Sequence, residues 1–122
     1  MTWGIIILGH GSKRPEAVAG MLAVGNAIKQ KLANVAVATA FMAHATPGIE
    51  ETVAALVKKG VTDIIVATCF LFEGVHVLED IPRILEQLQD EYQHKIRFTC
   101  TSSLGGDPRL VDMMIDKIRE VS

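Results

Sequence analysis

The sequence is poor in the residues that mark several large classes of protein. Its two cysteines, Cys69 and Cys100, lack the close paired spacing of a zinc or thiol-redox motif. Both are expected inside buried strands, as reduced thiols of a cytoplasmic protein. With one tryptophan and one tyrosine, the chain lacks the aromatic platform on which single-stranded nucleic acids stack. The net charge of −2 also provides no basic field for nucleic acid.

Long hydrophobic runs are absent as well. Apolar residues make up 49% of the chain, but no run approaches the roughly 20 residues of a membrane-spanning helix. The first residues show no basic region typical of a secretory signal peptide, so a cytoplasmic location is expected. Residues 1–122 are expected to form one domain.

The opening stretch combines a buried strand with an unusual turn. Residues 5–8 are an unbroken apolar run, typical of a strand that is buried on both faces of a parallel sheet. The run ends at Gly9, His10 and Gly11, and the glycines allow a sharp turn with the imidazole at the tip. Because Gly-x-Gly is also common between a strand and a helix, this stretch alone fits an ordinary turn and a functional site equally well.

Strand-like and helix-like segments alternate along the whole chain. The predicted strands are residues 5–8, 35–41, 62–72 and 96–101. The first predicted helix spans residues 15–32. The other three are expected to begin at Thr46-Pro47, at Ile81-Pro82 after an Asp80 cap, and at Pro108 after an Asp107 cap. Residues 73–79 are expected to be a loop. This alternation predicts an α/β fold, a four-stranded parallel sheet in the order 2-1-3-4 with helices on both faces, as in flavodoxin-like proteins.

Three of the four histidines fall at the same edge of this sheet. His10, His44 and His76 follow the first three strands, whereas His94 precedes the fourth strand and belongs to the opposite edge. In the order 2-1-3-4, the first and third strands are neighbours whose connections leave to opposite faces. His10 and His76 are therefore expected to meet at the switch point where such folds bind ligands.

The predicted edge carries metal-binding and proton-accepting chemistry. Neutral imidazoles bind divalent transition metals and titrate near neutral pH. A third partner is left open between His44 and a carboxylate of Glu73, Glu79 or Asp80. Each has an ordinary explanation, since Asp80 suits a helix cap and the others suit solvated loop positions.

The same edge is suited to anionic ligands. All four predicted helices begin there, and each N-terminus offers unpaired N–H groups and partial positive charge. Lys13, Arg14 and Arg83 add full charges, although an ordinary helix surface also explains them. No nucleophile elbow and no complete phosphate-loop pattern is present.

Three segments together resemble a known family. They are LGHGSK at residues 8–13, FLFEGVHVLEDIP at 70–82 and LGGDPRL at 104–110. This combination is similar to the class II tetrapyrrole chelatases, specifically the short CbiX-type sirohydrochlorin chelatases. The resemblance implies insertion of a divalent metal into sirohydrochlorin, with cobalt expected first and nickel or iron as alternatives. It implies no organic cofactor.

The resemblance also implies roles for particular residues. His10 and His76 are expected to bind the metal and accept the pyrrole protons, with His44 a further candidate ligand. The expected substrate-binding positions are Gly9, Gly11, Ser12, Lys13, Gly74 and Val75. The resemblance further implies a homodimer with the cleft between the subunits. Many relatives carry a glutamate where this chain has Ala43, which makes the neighbouring His44 a possible substitute.

Two other functions fit the same residues. A non-catalytic carrier of metal or tetrapyrrole would keep the histidines but release no metallated product. A flavodoxin-like binding module would carry histidines that have no chemical role.

Overall fold

The chain forms one four-stranded parallel sheet with connecting helices. The computed structural model describes residues 2–72 and 74–122, except for the side chains of residues 75–78. The elements in order are β1 (Trp3–Gly9), α1 (Pro15–Lys31), β2 (Ala36–Phe41), α2 (Ile49–Lys58), β3 (Asp63–Thr68), α3 (Val75–Glu91), β4 (Arg97–Cys100), a 3₁₀ turn (Leu104–Gly106) and α4 (Pro108–Val121). The strand order β2-β1-β3-β4 and the parallel pairing confirm the predicted fold. Among the helices described, none is long and apolar enough to cross a membrane.

The hydrophobic core lies on one face of the sheet. Ile6 and Leu8 of β1 point to this face, where helices α2 and α3 cover them. The fully packed side chains there include Val53, Leu56, Ile64, Val66, Phe70, Ile81, Leu85 and Leu88. Burial of this many aliphatic side chains, at about 1.5–3 kcal/mol each, is the main stabilising contribution to the fold.

Helix α1 covers part of the opposite face. It approaches the sheet closely at Gly25, which is buried. A Cβ atom at this position would overlap the Oγ1 atom of Thr39 on β2. Thr39 pairs with Ile7 of β1, so both residues belong to the face opposite the main core. A small residue at the contact therefore sets the spacing between α1 and the sheet.

The predicted start of α2 is wrong by two residues. The helix begins at Ile49 after Gly48, not at Pro47, and Thr46 does not cap it. The reason is a local backbone contact, since the N–H of Phe41 donates to the carbonyl of Pro47 at 2.9 Å. This bond holds Pro47 beside the end of β2.

The predicted start of α3 is also wrong. The helix begins at Val75, so most of the expected loop 73–79 is helical, and Pro82 lies inside the helix. A proline there removes one helical hydrogen bond. Burial of Ile81, Leu85 and Leu88 on one stripe outweighs that loss. Asp80 pairs with Arg83 at 2.8 Å instead of capping the helix.

The expectation of buried cysteines is not met. Strand β3 ends at Thr68 rather than at residue 72, so Cys69 follows the strand and is half-buried. Cys100 is the last residue of β4 and is exposed. The apolar pattern of these two segments therefore predicted longer strands and more burial than the structure shows at this edge.

Helix α4 has the predicted cap. The Asp107 carboxylate accepts a hydrogen bond from the Arg109 backbone N–H at 2.8 Å. It also accepts from the Arg109 guanidinium, with an Nη2–Oδ2 distance of 2.7 Å. These bonds, first of all the one from the Arg109 side chain, lower the pKa of Asp107 to about 2. The cap is therefore charged at any physiological pH.

The apolar spacing within residues 15–32 predicts a buried stripe on α1, and that of Leu110, Val111, Met114, Ile115 and Ile118 predicts another on α4. The chain covers both stripes only partly. On α1, Leu22 is exposed, and on α4 no residue is buried. The α4 side chains Val111, Met114, Ile115 and Ile118 are exposed by 39–59%. The periodicity correctly identified the apolar faces, but the chain itself does not bury them.

The close contact between α1 and β2 predicts that alanine substitutions at two glycines of α1 change the stability of the protein in opposite directions. Gly25→Ala should lower the free energy of unfolding by about 1–3 kcal/mol, because the new methyl group overpacks against Thr39. Gly20→Ala, where no atom lies within 4 Å, should raise it by about 0.4–1 kcal/mol. Urea denaturation measures both values. Equal effects of the two substitutions would contradict the proposed close contact.

Candidate functional site

His10 stands at the carboxyl edge of the sheet, directly after β1. Its imidazole is exposed to solvent on one side and contacts the ring of Phe70 on the other. The ring centroids lie 4.0 Å apart and the planes are tilted by 36°. Phe70 is 2% exposed and belongs to the core, so the core orients the imidazole.

Backbone hydrogen bonds continue beyond the ends of the strands and fix the turn around His10. The N–H groups of Met42 and Ala43 donate to the carbonyls of Gly9 and His10 at 2.9 and 3.0 Å. On the other side, the Cys69 N–H donates to the Leu8 carbonyl at 2.8 Å. The loops that follow β2 and β3 are thus both bonded to the β1 strand end.

The two glycines of the turn have distinct packing reasons. Gly11 has a φ of +93°, and a Cβ atom there would overlap the carbonyl oxygen of Ala43. At Gly9, a Cβ atom would lie 2.9 Å from the Met21 side chain of α1. The glycines therefore allow the β2–α2 loop and α1 to close around the base of His10.

A cavity of about 200 Å³ opens beside this turn. Its wall is mostly apolar, with His10 and Cys69 as its metal-capable side chains. The lining residues are Gly9, His10, Gly11, Ser12, Ala17, Val18, Met21, Phe41 and Cys69. The Ser12 hydroxyl in this wall accepts a hydrogen bond from the Arg14 N–H at 3.0 Å, so it supports the entry into α1.

His44 lies near the same turn. It is exposed, has a φ of +64° and directly follows Ala43, whose carbonyl faces Gly11. However, the described side chains contain no group of three His, Cys, Asp or Glu that could hold a metal ion. A third ligand, whether His44, Glu79 or Asp80, stays a prediction, and Glu73 lies outside the described residues.

His76 is the second residue of α3, and this helix begins at the same edge, after the strand that neighbours β1. The topology therefore agrees with the predicted proximity of the two histidines. The side chains of His76 and Val75 lie outside the described residues, so their contacts stay predictions. Gly74 precedes the helix in an extended conformation and is exposed, with no atom within 4 Å of its Cβ position.

His94 lies at the opposite edge, as predicted. It follows α3 and precedes β4, and its Nε2 atom lies 3.2 Å from the Asp90 carboxylate. It can therefore take no direct part in chemistry at His10.

Of the cationic side chains predicted at the site edge, Arg83 differs from the expectation because it is engaged in an ion pair. Arg83 is paired with Asp80, and Arg109 is paired with Asp107, which further raises the pKa of the Arg109 guanidinium. Lys13 and Arg14 are exposed beside the His10 turn. Since every helix begins at this edge, partial positive charge of the helix N-termini adds to that of Lys13 and Arg14.

Phe70 and Cys69 are the neighbours of His10 that the sequence prediction missed. The prediction assigned both to the interior of a longer strand. The signal was available in the spacing, because a buried aromatic residue just after β3 falls beside the end of β1 in a parallel pair.

The Gly11–Ala43 contact predicts that a single methyl group added at residue 11 destabilises the protein. Gly11→Ala should lower the free energy of unfolding by about 1–3 kcal/mol, because it strains a positive φ and collides with a carbonyl. Urea denaturation measures the loss. Gly106→Ala, which faces open space, is the matched control and should stay close to the native value. Similar stabilities for the two variants would contradict the close approach of the loop.

Known proteins resemble this chain along its whole length. A sirohydrochlorin cobaltochelatase of Methanosarcina acetivorans is 31% identical over 96% of this chain and 95% of that protein. A chloroplastic sirohydrochlorin ferrochelatase of Arabidopsis thaliana is 32% identical over 95% of this chain but only 51% of that protein.

Solved structures give the same result. A CbiX protein from Marinobacter aquaeolei VT8 superposes with a TM-score of 0.84 at 27% identity, covering 97% of this chain and 95% of that one. The sirohydrochlorin chelatase SirB from Bacillus subtilis subspecies spizizenii, in complex with cobalt, gives 0.91 at 26% identity, covering 99% of this chain and 51% of that one. The CbiX family model itself matches residues 4–121, and the chain therefore belongs to the CbiX family.

Proposed function

We propose that this protein is a chelatase that inserts a divalent metal ion into sirohydrochlorin. The observation that carries the proposal is His10, an exposed imidazole held on Phe70 at the ligand-binding edge of the sheet. It occurs in a chain that matches a sirohydrochlorin cobaltochelatase over 95% of that protein's length.

Cobalt is the metal favoured by the comparisons. The cobaltochelatase relative from Methanosarcina acetivorans has nearly the length of this chain, whereas the Arabidopsis ferrochelatase is matched over 51% of its length. Nickel and iron remain chemical alternatives, because imidazole ligands suit all three ions. The metal is a substrate of the reaction, and the proposal includes no organic cofactor.

The proposed reaction uses imidazoles as metal ligands and as bases. Sirohydrochlorin loses two pyrrole N–H protons as the metal enters, and a neutral imidazole near the ring can accept one. His10 takes this role from the tip of β1, and His76 takes it from the first turn of α3. A site with few protein ligands leaves open positions, so the metal can pass to the macrocycle nitrogens.

The turn around His10 also supplies several of the proposed substrate-binding positions. The backbone at Gly9, Gly11 and Ser12 borders the cavity beside His10, and Lys13 supplies a cation for the substrate carboxylates. Gly74 and Val75 begin α3, whose unpaired N–H groups favour a carboxylate. Together these positions are proposed to contact one side of the flat ligand at its rim.

The chelatase proposal predicts a specific pattern of variants. His10→Ala and His76→Ala should each lower the rate of cobalt insertion by about 10²–10⁴-fold, because each removes a ligand and a base. Anaerobic incubation of sirohydrochlorin with cobalt(II), followed by absorbance, measures the rate. Nickel(II) and iron(II) under the same conditions should react more slowly.

The control for this assay is His94→Ala. It lies at the opposite edge and should keep the native rate. Binding of sirohydrochlorin or cobalt without acceleration over the spontaneous reaction would instead indicate a carrier.

A homodimer with a shared cleft is part of the proposal. A flat macrocycle is larger than the rim of one four-stranded sheet, and a second copy facing the first would enclose it. The exposed apolar residues of α4 support association, since such stripes are normally covered. The expected cytoplasmic location stays a prediction.

Association can be measured by sedimentation. The native protein should sediment as a dimer of about twice the 13.2 kDa chain mass. Ile118→Asp should raise the dimer dissociation constant about 100-fold, because an unpaired carboxylate buried in an interface costs about 3 kcal/mol. Asp116→Asn, also on α4, is the control and should leave the dimer intact. A native protein that is monomeric at assay concentration would contradict the shared cleft.

A further inference from the structure

Phe72 is an aromatic side chain that faces solvent at the same edge of the sheet as His10. Of the four phenylalanines, Phe41 and Phe70 are 2% exposed and Phe98 is half-buried, whereas Phe72 is 70% exposed. Its neighbour Leu71 is also exposed, by 52%. The ring is therefore part of an exposed apolar surface that the core of the chain does not use.

The connection between β4 and α4 supports the ring from behind. A Cβ atom at Gly105 would overlap both the Phe72 ring and the carbonyl oxygen of Leu71, so the backbone there lies directly against both residues. Next to it, the Leu104 N–H donates to the Phe70 carbonyl at 2.8 Å. Leu104 is itself 45% exposed, and we call Leu71, Phe72 and Leu104 the Phe72 surface. Backbone contacts thus hold this surface in place while its outer side stays open to solvent.

The Phe72 surface adjoins the candidate site. Phe72 follows Phe70, whose ring contacts the His10 imidazole, by two residues. Two residues of chain span at most about 7 Å. Strand β3, which precedes this connection, lies between β1 and β4 in the sheet. The surface therefore occupies the part of the edge between His10 and the β4–α4 connection.

The groups around this surface favour a ligand with an apolar face and an anionic rim. Lys13 and Arg14 are exposed beside the His10 turn. Helix α3 begins after Gly74, which has no side chain to cap its first N–H groups, so partial positive charge is available there. Sirohydrochlorin has this distribution of chemistry, since it is a conjugated macrocycle that carries carboxylates at its periphery.

We propose that Phe72 contacts the face of the sirohydrochlorin macrocycle, and that Leu71 and Leu104 extend the same apolar support. Flat conjugated rings prefer offset stacking, and the contact removes two apolar surfaces from water. Phe72 and His10 belong to one edge of the sheet, so both approach the ligand from the same side. This proposal rests on the proposed chelatase function and names a residue that binds its substrate.

Such a contact acts on binding rather than on the chemical step. The macrocycle face is apolar both before and after the metal enters, so the Phe72 ring interacts similarly with the substrate and with the transition state. Interactions of this kind lower KM and leave kcat unchanged. The metal binds to imidazole and ring nitrogens, so the KM for cobalt(II) should not depend on Phe72.

Steady-state kinetics of Phe72 variants test the proposal. In the anaerobic absorbance assay, Phe72→Ala should raise the KM for sirohydrochlorin about 10–100-fold, the size of effect that removal of a stacking aromatic residue has elsewhere. Its kcat and its KM for cobalt(II) should stay close to the native values. Phe72→Trp should keep the native KM because it retains an aromatic face, and Phe72→Leu should fall between the two.

Trp3→Leu is the matched control. Trp3 is also an exposed aromatic residue, but it begins β1 and so lies at the opposite edge of the sheet. This variant should keep the native KM for sirohydrochlorin. Because the Phe72 ring is mostly exposed, the urea denaturation midpoint of Phe72→Ala should also stay close to the native one.

Three results would overturn the proposal. They are an unchanged sirohydrochlorin KM in Phe72→Ala, a fall in kcat at unchanged KM, and dissociation of the dimer in sedimentation with recovery of the native KM at high protein concentration. The last result would place the ring in a contact between subunits rather than against the substrate.

Titration with sirohydrochlorin in the absence of metal separates this proposal from the proposed function. If the native protein binds sirohydrochlorin without accelerating metal insertion, the chelatase proposal fails, and weaker binding by Phe72→Ala still supports the face contact. If the native protein does not bind sirohydrochlorin, both proposals fail.

Discussion

The geometry at His10 depends on backbone hydrogen bonds that run past the carboxyl ends of the strands. Met42, Ala43 and Cys69 all donate to the last residues of β1 or to the turn after it. These bonds tie the connections of β2 and β3 to the connection of β1, although their sequences are far apart. Gly11 is required for the closest of these approaches. The position of the imidazole is therefore a property of three strands together.

The fold was predictable because strand and helix patterns alternate without interruption. Four apolar segments of strand length allow few arrangements once parallel pairing and right-handed connections are required. The same rules brought His10 and the start of α3 to one edge and sent His94 to the other, as the structure shows.

The errors came from tertiary contacts that a single segment does not reveal. Pro47 and Pro82 were both interpreted as helix starts, since proline favours that position. Pro47 instead accepts a bond from Phe41, and Pro82 lies within a helix whose buried side holds it in place. Likewise, the apolar face of α4 was predicted correctly, but periodicity carries no information on what covers that face.

The Phe70–His10 contact has a consequence for which residues around the turn can vary. Phe70 is part of the main core, so a substitution on that side of the imidazole alters stability and site geometry together. The β2–α2 loop is different, because its backbone makes the contacts to the turn while Ala43 and His44 are exposed. New side chains can therefore appear at residue 43 at little cost to folding, whereas the positive φ of His44 restricts the choice at residue 44. That loop is the route by which the side chains beside a fixed His10 can diversify.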